Sequence, residues 1–525
     1  MIYKTLALVL GLLSTSNFYL QAQDVEWSGD YRKARPNSNV TQILGEDDAH
    51  IYGVISTRIY DETQGEENAG VNSRSNRDRT SIIKFNKDLV LKKEAPVVPK
   101  LGKKRMEFQF AERLGEEMYI FSSIIDRNSK ENVLMAQRID PKTLALAKKP
   151  ERVAFTNIRN ARNIGTFSYQ LSRKKSKLLI VGYEPYKRGE SEKFNLSVLD
   201  KDFSQVWERQ ITIPYQDELF HIERFVVDDR GDVYVLGKNY FDRPKTRRRG
   251  KPNYSYIVLA YRFNGLEFEQ YEVKLRNRFV TDLSFTVNDA GDLICAGLYS
   301  DRGTVSIKGT YYMSIDAISQ EIKEEGFKEF DDDFLTQFMN DRQAARGREL
   351  YDYKLEEIIL RADGGAILIA EQYFVDVYTY TNPDGSITTR NYYNYNDIIV
   401  ININPNKTIE WTAKVPKRQV TVDDYGYFSS FAHAITNQNI YLVFNDNQRN
   451  MAKDRRNPLS FNGSRSVVML VAIDIEGNVS KEILSNNREE RIITRPKSCE
   501  QLGRNRMIVY GSRGKKYKLG EVILE

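Results

Sequence analysis

The sequence predicts an all-β protein, an eight-bladed β-propeller, and three observations predict it. A short apolar strand phrase recurs eight times, its copies are spaced by 55 to 74 residues, and each copy sits inside a four-strand unit. The phrases begin at Ile51, Met118, Leu178, Val233, Leu293, Ala366, Ile440 and Met507. They read IYGVIS, MYIFSS, LLIVGY, VYVLGK, LICAGL, AILIAE, IYLVFN and MIVYGS. A repeat of this length built from short strands is the signature of radial repetition. Eight copies give eight blades. Seven is the alternative, with the sixth copy, introduced by Gly364-Gly365, as a decoration.

Within each unit a looser strand comes first, as in 221–227. A tight turn follows, here Asp228-Asp229-Arg230-Gly231, whose Asp and Gly favour reversal. The phrase is the second strand. A third follows after a loop, as in 256–261 or 467–471, and a turn such as Glu476-Gly477-Asn478 leads to a fourth. The phrases are apolar nearly throughout, which is how strands buried on both faces read. Six of them carry a small residue at the fifth position: Ser122, Gly182, Gly237, Gly297, Ala370 and Gly511. That predicts close approach of neighbouring blades. The last unit is one strand short, and Val25-Glu26-Trp27 is similar to the fourth strand Ile409-Glu410-Trp411. Residues 24–31 are therefore expected to pair with 516–524, closing the ring and removing an open edge.

Residues 1–22 read as a signal peptide: Lys4, an apolar run over 5–13 too short to span a bilayer, and a small residue at Ala22. Residues 23–525 are left as one propeller domain, with no transmembrane segment expected and export to the periplasm as the predicted address. Hydrophobic residues make up 41% of the chain and Tyr occurs 32 times, enough for a β-rich core. Lys and Arg number 78 against 72 Asp and Glu, and the signs are interspersed, which speaks against nucleic-acid binding. Cys295 and Cys499 fall in different units, so no disulfide is expected, and Cys295 reads as a small core residue.

Three insertions stand out. Over 327–346, Phe327, Phe330, Phe334, Phe338 and Met339 recur at helical spacing, with Asp331, Asp332 and Asp333 early and Arg342 and Arg346 late. This predicts one helix, packed between the fifth and sixth blades or offered to a partner. A long hairpin is predicted over about 366–403 around the turn Asn382-Pro383-Asp384-Gly385. It carries Tyr378, Tyr380, Tyr392, Tyr393 and Tyr395, either as a partner-binding surface or as cross-strand stiffening. The loop 243–251 holds Arg247, Arg248 and Arg249, which suit an acidic partner or a solvated surface. Stretches 61–79 and 449–465 read as polar loops.

The motifs of common chemistry are missing. There is no Gly-x-Ser-x-Gly elbow, no glycine-rich phosphate loop and no Cys pair for zinc. His50, His221 and His433 lie in three different units without metal-ligand spacing. No catalytic residue, metal or cofactor is assigned. A hydrolytic or carbohydrate-active propeller remains the alternative, because two carboxylates at a channel mouth need no sequence spacing.

The stretch 334–447 contains FLTQFMNDR, DYKLEEIILRADGGAILIAEQYF, YYNYNDIIVININPNKTIEWTAKVPKRQ, GYFSSFAH and IYLVFNDN. It resembles an exported β-propeller family of Bacteroidota, and the signal ending in Gln-Ala-Gln is similar to theirs as well. The resemblance implies export and a propeller body, and supplies no catalytic residue. In such bacteria the type IX secretion and gliding machinery uses exported accessory proteins at the outer membrane. The resemblance leaves activity open; the role expected from the tyrosine hairpin and the insertion helix is a monomeric, non-enzymatic scaffold that binds an envelope or outer-membrane protein.

Overall fold

Apolar runs without alternation become strands that serve two interfaces. In the strand Val467–Asp474, Val468, Leu470 and Ala472 pack toward the following sheet. The intervening Val467, Met469, Val471 and Ile473 pack toward the preceding one. In Arg506–Arg513, Met507 and Val509 face one neighbour while Ile508 and Tyr510 face the other. Each such residue is worth about 1.5–3 kcal/mol when fully buried, so a strand exposed on either side would forfeit half its drive to fold.

The computed structural model describes residues 24–524 apart from 36, 58–78, 186–188, 276, 289, 317, 320, 362, 407 and 452–456. The signal-peptide reading of 1–22, and nearly all of the polar stretch 61–79, lie outside the described residues. The chain is mostly β and propeller-like. Antiparallel sheets follow one another over 39–96, 107–164, 166–212, 220–273, 279–329, 353–415, 432–486 and 493–523. They are numbered here one to eight. Within each sheet the strands lie side by side in chain order. The eighth also takes up Glu26–Trp27 and Tyr31–Arg32 from the start of the chain. Glu26 pairs with Glu521 and Trp27 with Gly520; Tyr31 pairs with Tyr517 and Arg32 with Lys516. This is the pairing expected from the Val25-Glu26-Trp27 segment. Val25 packs between sheets seven and eight, and the Trp27 indole N–H donates to Ser485 Oγ at 3.0 Å.

A hydrophobic cluster fills the space between every consecutive pair of sheets. A further one joins Val40, Ile51 and Phe85 of sheet one to Tyr510 and Leu519 of sheet eight. Cys295 is buried in the cluster between sheets four and five, and both cysteines are free.

Two expectations need correction. The small residue at the fifth phrase position does more than admit a neighbouring sheet. At Gly182 a Cβ would lie 2.7 Å from the Thr156 side chain of the preceding sheet, as expected. At Gly297 it would lie 2.1 Å from the Asp282 carbonyl, and at Gly237 2.1 Å from the Phe220 ring, both within the same sheet. The first strands of sheets four and five slip by one residue close by, between Ile222 and Arg224 beside Gly237, and between Val280 and Asp282 one residue before the partner of Gly297. A glycine next to such a bulge leaves room for the irregular strand.

The single helix over 327–346 is also not formed. Residues 327–329 finish the strand Ile322–Glu329, where Phe327 packs edge-on to Tyr299. Two short helices follow, Asp332–Thr336 and Asp341–Ala344. The reason is capping: Asp331 accepts from the Phe334 N–H, and Asn340 forms a reciprocal capping box with Gln343. Asn340 thus begins a second helix in the middle of the apolar stripe. The stripe still faces inward, with Phe330, Phe334, Leu335 and Ala344 buried between sheets five and six. Of the three aspartates, Asp331 is spent as a cap, and no group able to hold a metal occurs among the described residues.

The strand order divides the connections between two ends. At one end lie the turns from first to second and from third to fourth strand, which are short: 86–90, 140–145, 228–232, 288–292, 474–478. At the other end lie the connections from second to third strand and the passages to the next sheet. The tyrosine hairpin, the basic loop, the two helices and the loop 447–466 all emerge there.

Candidate functional site: a face built from insertions

The hairpin strands are Ala366–Thr381 and Ile387–Ile403, twice the length of their counterparts. At about 3.3 Å per residue they reach roughly 25 Å past the sheet. The turn is the expected one: Asn382 N–H donates to Ser386 O, Gly385 N–H donates to Asn382 O, and Gly385 has φ +80°. The sequence did not reveal the support. A strand over Gln419–Val422 pairs with Tyr392–Tyr395 and turns the hairpin's lower half into a three-stranded sheet. Arg390 then pairs with Asp423 at 2.7 Å.

The five tyrosines divide. Tyr378 and Tyr380 are 50% and 46% exposed, whereas Tyr393 and Tyr395 are 8% and 2%. Tyr395 packs on Tyr373 and against Gly426, and Tyr393 packs on Tyr425. These two are structural, which corrects their assignment to a contact surface. Tyr378, Tyr380 and half-buried Tyr392 share one face, Tyr378 meeting Tyr392 edge-on at 5.3 Å. Val377, Ile387 and Tyr425 are exposed on the hairpin and beside it. The Tyr373 N–H donates to Asp352 O, and beyond it the Phe374–Thr381 edge has no strand partner on its outer side among the described residues.

A buried polar network anchors this hairpin. Lys417 and Glu371, both fully buried, form an ion pair at 2.6 Å. Ser430 Oγ donates to Glu371 at 2.7 Å, and Lys417 Nζ donates to Tyr395 O at 2.9 Å and Gln419 Oε1 at 3.1 Å. Burial, working against the attraction of Glu371, lowers the Lys417 ammonium from its ordinary value. The chain of bonds continues outward. The Gln419 amide donates to Asn445 O, and the Asn487 amide donates to Asn445 Oδ1 and Ser466 Oγ. It links sheets six and seven to the passage before sheet eight.

The basic loop is more ordered than a solvated loop. Arg247–Arg248 pairs with Lys251–Pro252 as a small two-stranded turn. Arg247 lies over the Phe279 ring and donates to Arg302 O, and Arg248 pairs with Asp242 at 3.0 Å. Arg249 sits at the turn itself, with φ +49°, and is exposed. The three arginines and the tyrosines share an end of the molecule but belong to sheets four and six, and they do not form one cluster.

Three acids at this end sit well above the usual carboxylate range. Burial first, then the charge and hydrogen bond of Asp217, push Glu192 up to about 7. Crowding by surrounding protein first, then the charge of Glu371, push Glu356 up to about 7, although its side chain is exposed. Burial raises Asp446 to about 6, although the Asn450 amide and the Asn447 N–H both donate to it. Glu356 occupies the bulge of its strand, between Leu355 and Glu357. No spacing rule would have singled out any of these residues, because what shifts them comes from other parts of the chain.

No protein-family model matches the sequence, and no curated protein matches it. Among solved structures, the chain is similar to the β-propeller domain of the Trilobed protease from Pyrococcus furiosus, at 10% identity and a TM-score of 0.26, covering 69% of this chain and 94% of that one. It is also similar to a protein of unknown function from Dyadobacter fermentans, at 10% identity and a TM-score of 0.29, covering 95% and 99%. A third is a Synechocystis apocarotenoid oxygenase mutant, at 9% identity and a TM-score of 0.35, covering 88% and 93%.

Proposed function

We propose that this chain is an eight-bladed propeller closed by its N-terminal strands, exported to the periplasm, and acting as a non-enzymatic scaffold for an envelope or outer-membrane protein. Its resemblance to exported Bacteroidota proteins is part of that reading, and service to outer-membrane secretion is one form of it. The observation that carries the proposal is the tyrosine hairpin. A two-stranded projection is marginal by itself, yet here a third strand and a buried ion pair stiffen it while Tyr378 and Tyr380 stay exposed. Exposed tyrosines on a rigid base give contact area at little entropic cost, and the Phe374–Thr381 edge, which has no outer strand partner among the described residues, can accept an extended segment of a partner.

The test is affinity purification of the tagged full chain from its own envelope, beside a Tyr378→Ser/Tyr380→Ser variant. A stoichiometric partner retained by the parent and lost by the variant is expected. Recovery of no such partner, or equal recovery by both, would overturn the scaffold. A hydrolytic reading is favoured by one observation, the elevated carboxyl groups of Glu356 and Glu192, which suit a general acid near neutral pH. It requires glycosidase or esterase turnover that Glu356→Gln or Glu192→Gln abolishes.

A further inference from the structure

A cavity of about 510 Å³ opens at the insertion end, lined by Gln448, Arg465, Asn486, Arg488, Glu489 and Arg491. It lies between residues 447–451 and 457–466 of sheet seven and the passage to sheet eight. Three guanidiniums face one space. Among the described residues none of the three forms an ion pair, although Arg248 of the basic loop and Arg390 of the hairpin do. The one carboxylate in the lining, Glu489, accepts from the Asn486 amide at 3.1 Å. Glu490 pairs with Lys518, and Asp30, whose carboxyl also feels the Arg491 charge, pairs with Lys516 at 2.6 Å and with Lys518.

The walls are held in place. Asn487, fully buried, donates to Ser466 Oγ at 2.7 Å and so clamps the two residues next to Arg465 and Arg488. Asn447 and Asn450 side chains donate to Ser460 O and Leu459 O, which fixes the loop that carries Gln448. Arg491 is set by a left-handed backbone, φ +57°, immediately after Glu490. Like charges converging on preformed walls raise the free energy of the empty site, and an anion relieves it. Guanidinium recognises planar or tetrahedral oxyanions through paired N–H donors.

We infer that this cavity binds an organic oxyanion of about the size of a sugar phosphate. A volume of about 510 Å³ exceeds what a lone inorganic phosphate fills and lies within the range of small-ligand pockets. Phosphoryl and carboxyl groups share the chemistry that the arginines read, and the amides of Gln448 and Asn486 can serve hydroxyls beside the charge. This inference stands independently of the hairpin: a scaffold with no anion site, or an anion site on a chain with no protein partner, are separate results.

The experiment is calorimetric titration of the full chain at fixed ionic strength with glucose 1-phosphate, glucuronate, inorganic phosphate and neutral glucose. Saturable binding of glucose 1-phosphate or glucuronate, tighter than inorganic phosphate and absent for glucose, is expected. Which of the two binds assigns phosphoryl or carboxyl as the recognised group. Arg465→Ala and Arg488→Ala, both solvent-facing, should each weaken binding by about tenfold. Arg249→Ala, equally basic but in sheet four, should leave it unchanged. The inference falls if neither organic anion binds saturably at millimolar concentration, or if Arg249→Ala weakens binding as much as Arg488→Ala does.

Discussion

The two ends of the sheets are made of the same strands and differ in almost everything else. At the short-turn end, aspartates accept backbone N–H groups within their own turn: Asp47 from Ala49 and His50, Asp140 from Lys142 and Thr143. Their carboxyls, with those of Asp202, Asp229, Asp316 and Asp363, are held below the usual range. Asp232 is the exception, raised by burial and then by the nearby Asp228. At the insertion end the polar groups find partners far away in sequence, as Glu371 does in Lys417 and Ser430, and Asn445 does in Asn487. The short-turn end relies more on bonds within its own turns, although Asp229 also accepts from the Lys174 N–H and Ser176 Oγ of the preceding sheet. The other is held by long-range polar bonds, and it is where the molecule can be particular.

The largest effect expected from that contrast is at Lys417. Replacing it by Met leaves Glu371 charged and fully buried, with only Ser430 to compensate. Breaking a buried pair in this way costs about 3–5 kcal/mol. Urea unfolding should show the loss, and the Lys417→Met/Glu371→Leu double variant should recover much of it, because the stranded charge is then gone. A single variant that unfolds at the parent's midpoint would mean the network does not hold the insertion end.

Next in size is the joint on which both ends depend. Trp27 packs beside Gly520 and spends its indole N–H on Ser485, and Val25 lies in the cluster between sheets seven and eight. Trp27→Ala should cost about 2 kcal/mol, less than a wholly buried Trp because the ring is only half covered. Hydrogen exchange should then rise first along Lys516–Ile523, the strand the N-terminus covers. Unchanged protection there would break the idea that the N-terminal strands hold the eighth sheet.

How much of this was legible in the sequence follows from the range of the interactions. The phrase strands were legible because burial on two faces writes itself into every residue of the strand, as in Val467–Asp474. The hairpin turn was legible because Asn382-Pro383-Asp384-Gly385 is a local signal. The Asn340 cap was equally local, but the phenylalanine periodicity masked it. The Gln419–Val422 strand, the Lys417–Glu371 pair and the arginine-lined cavity were not legible. Each joins segments tens of residues apart, and nothing in Lys417 or Arg488 alone distinguishes it from a surface charge.

A smaller effect separates the ends by pH. Asp446 and Glu192 have folded-state values above their unfolded ones, so the folded protein holds more protons across that window. Their contribution to stability is therefore lost as pH rises from the ordinary carboxylate value through about 6 for Asp446 and about 7 for Glu192. Asp140 and Asp47 run the other way: their contribution is present above the unfolded value and is lost as pH falls below it. Asp446→Asn with Glu192→Gln should flatten the stability profile between about pH 4.5 and 7, by on the order of 1 kcal/mol. Asp140→Asn should change only the acid limb. Identical profiles for the two variants would erase the electrostatic distinction between the ends.

The smallest expected change in stability is at the hairpin's exposed tyrosines, and its smallness is informative. Tyr378 meets Tyr392 edge-on and Tyr380 lies beside Tyr378, so truncation removes some ring contact. Both are half exposed, however, and the base of the hairpin is fixed by Tyr393, Tyr395 and the Gln419–Val422 strand instead. Tyr378→Ser/Tyr380→Ser should leave the urea midpoint where it is while Tyr395→Ser lowers it, because Tyr395 closes on Tyr373 and Gly426. If the exposed pair proved as costly as Tyr395, the rings would be holding the hairpin together. If it proved silent, two large aromatic side chains would be kept on a stiff projection without any return in stability, which is what a surface shaped for another molecule requires.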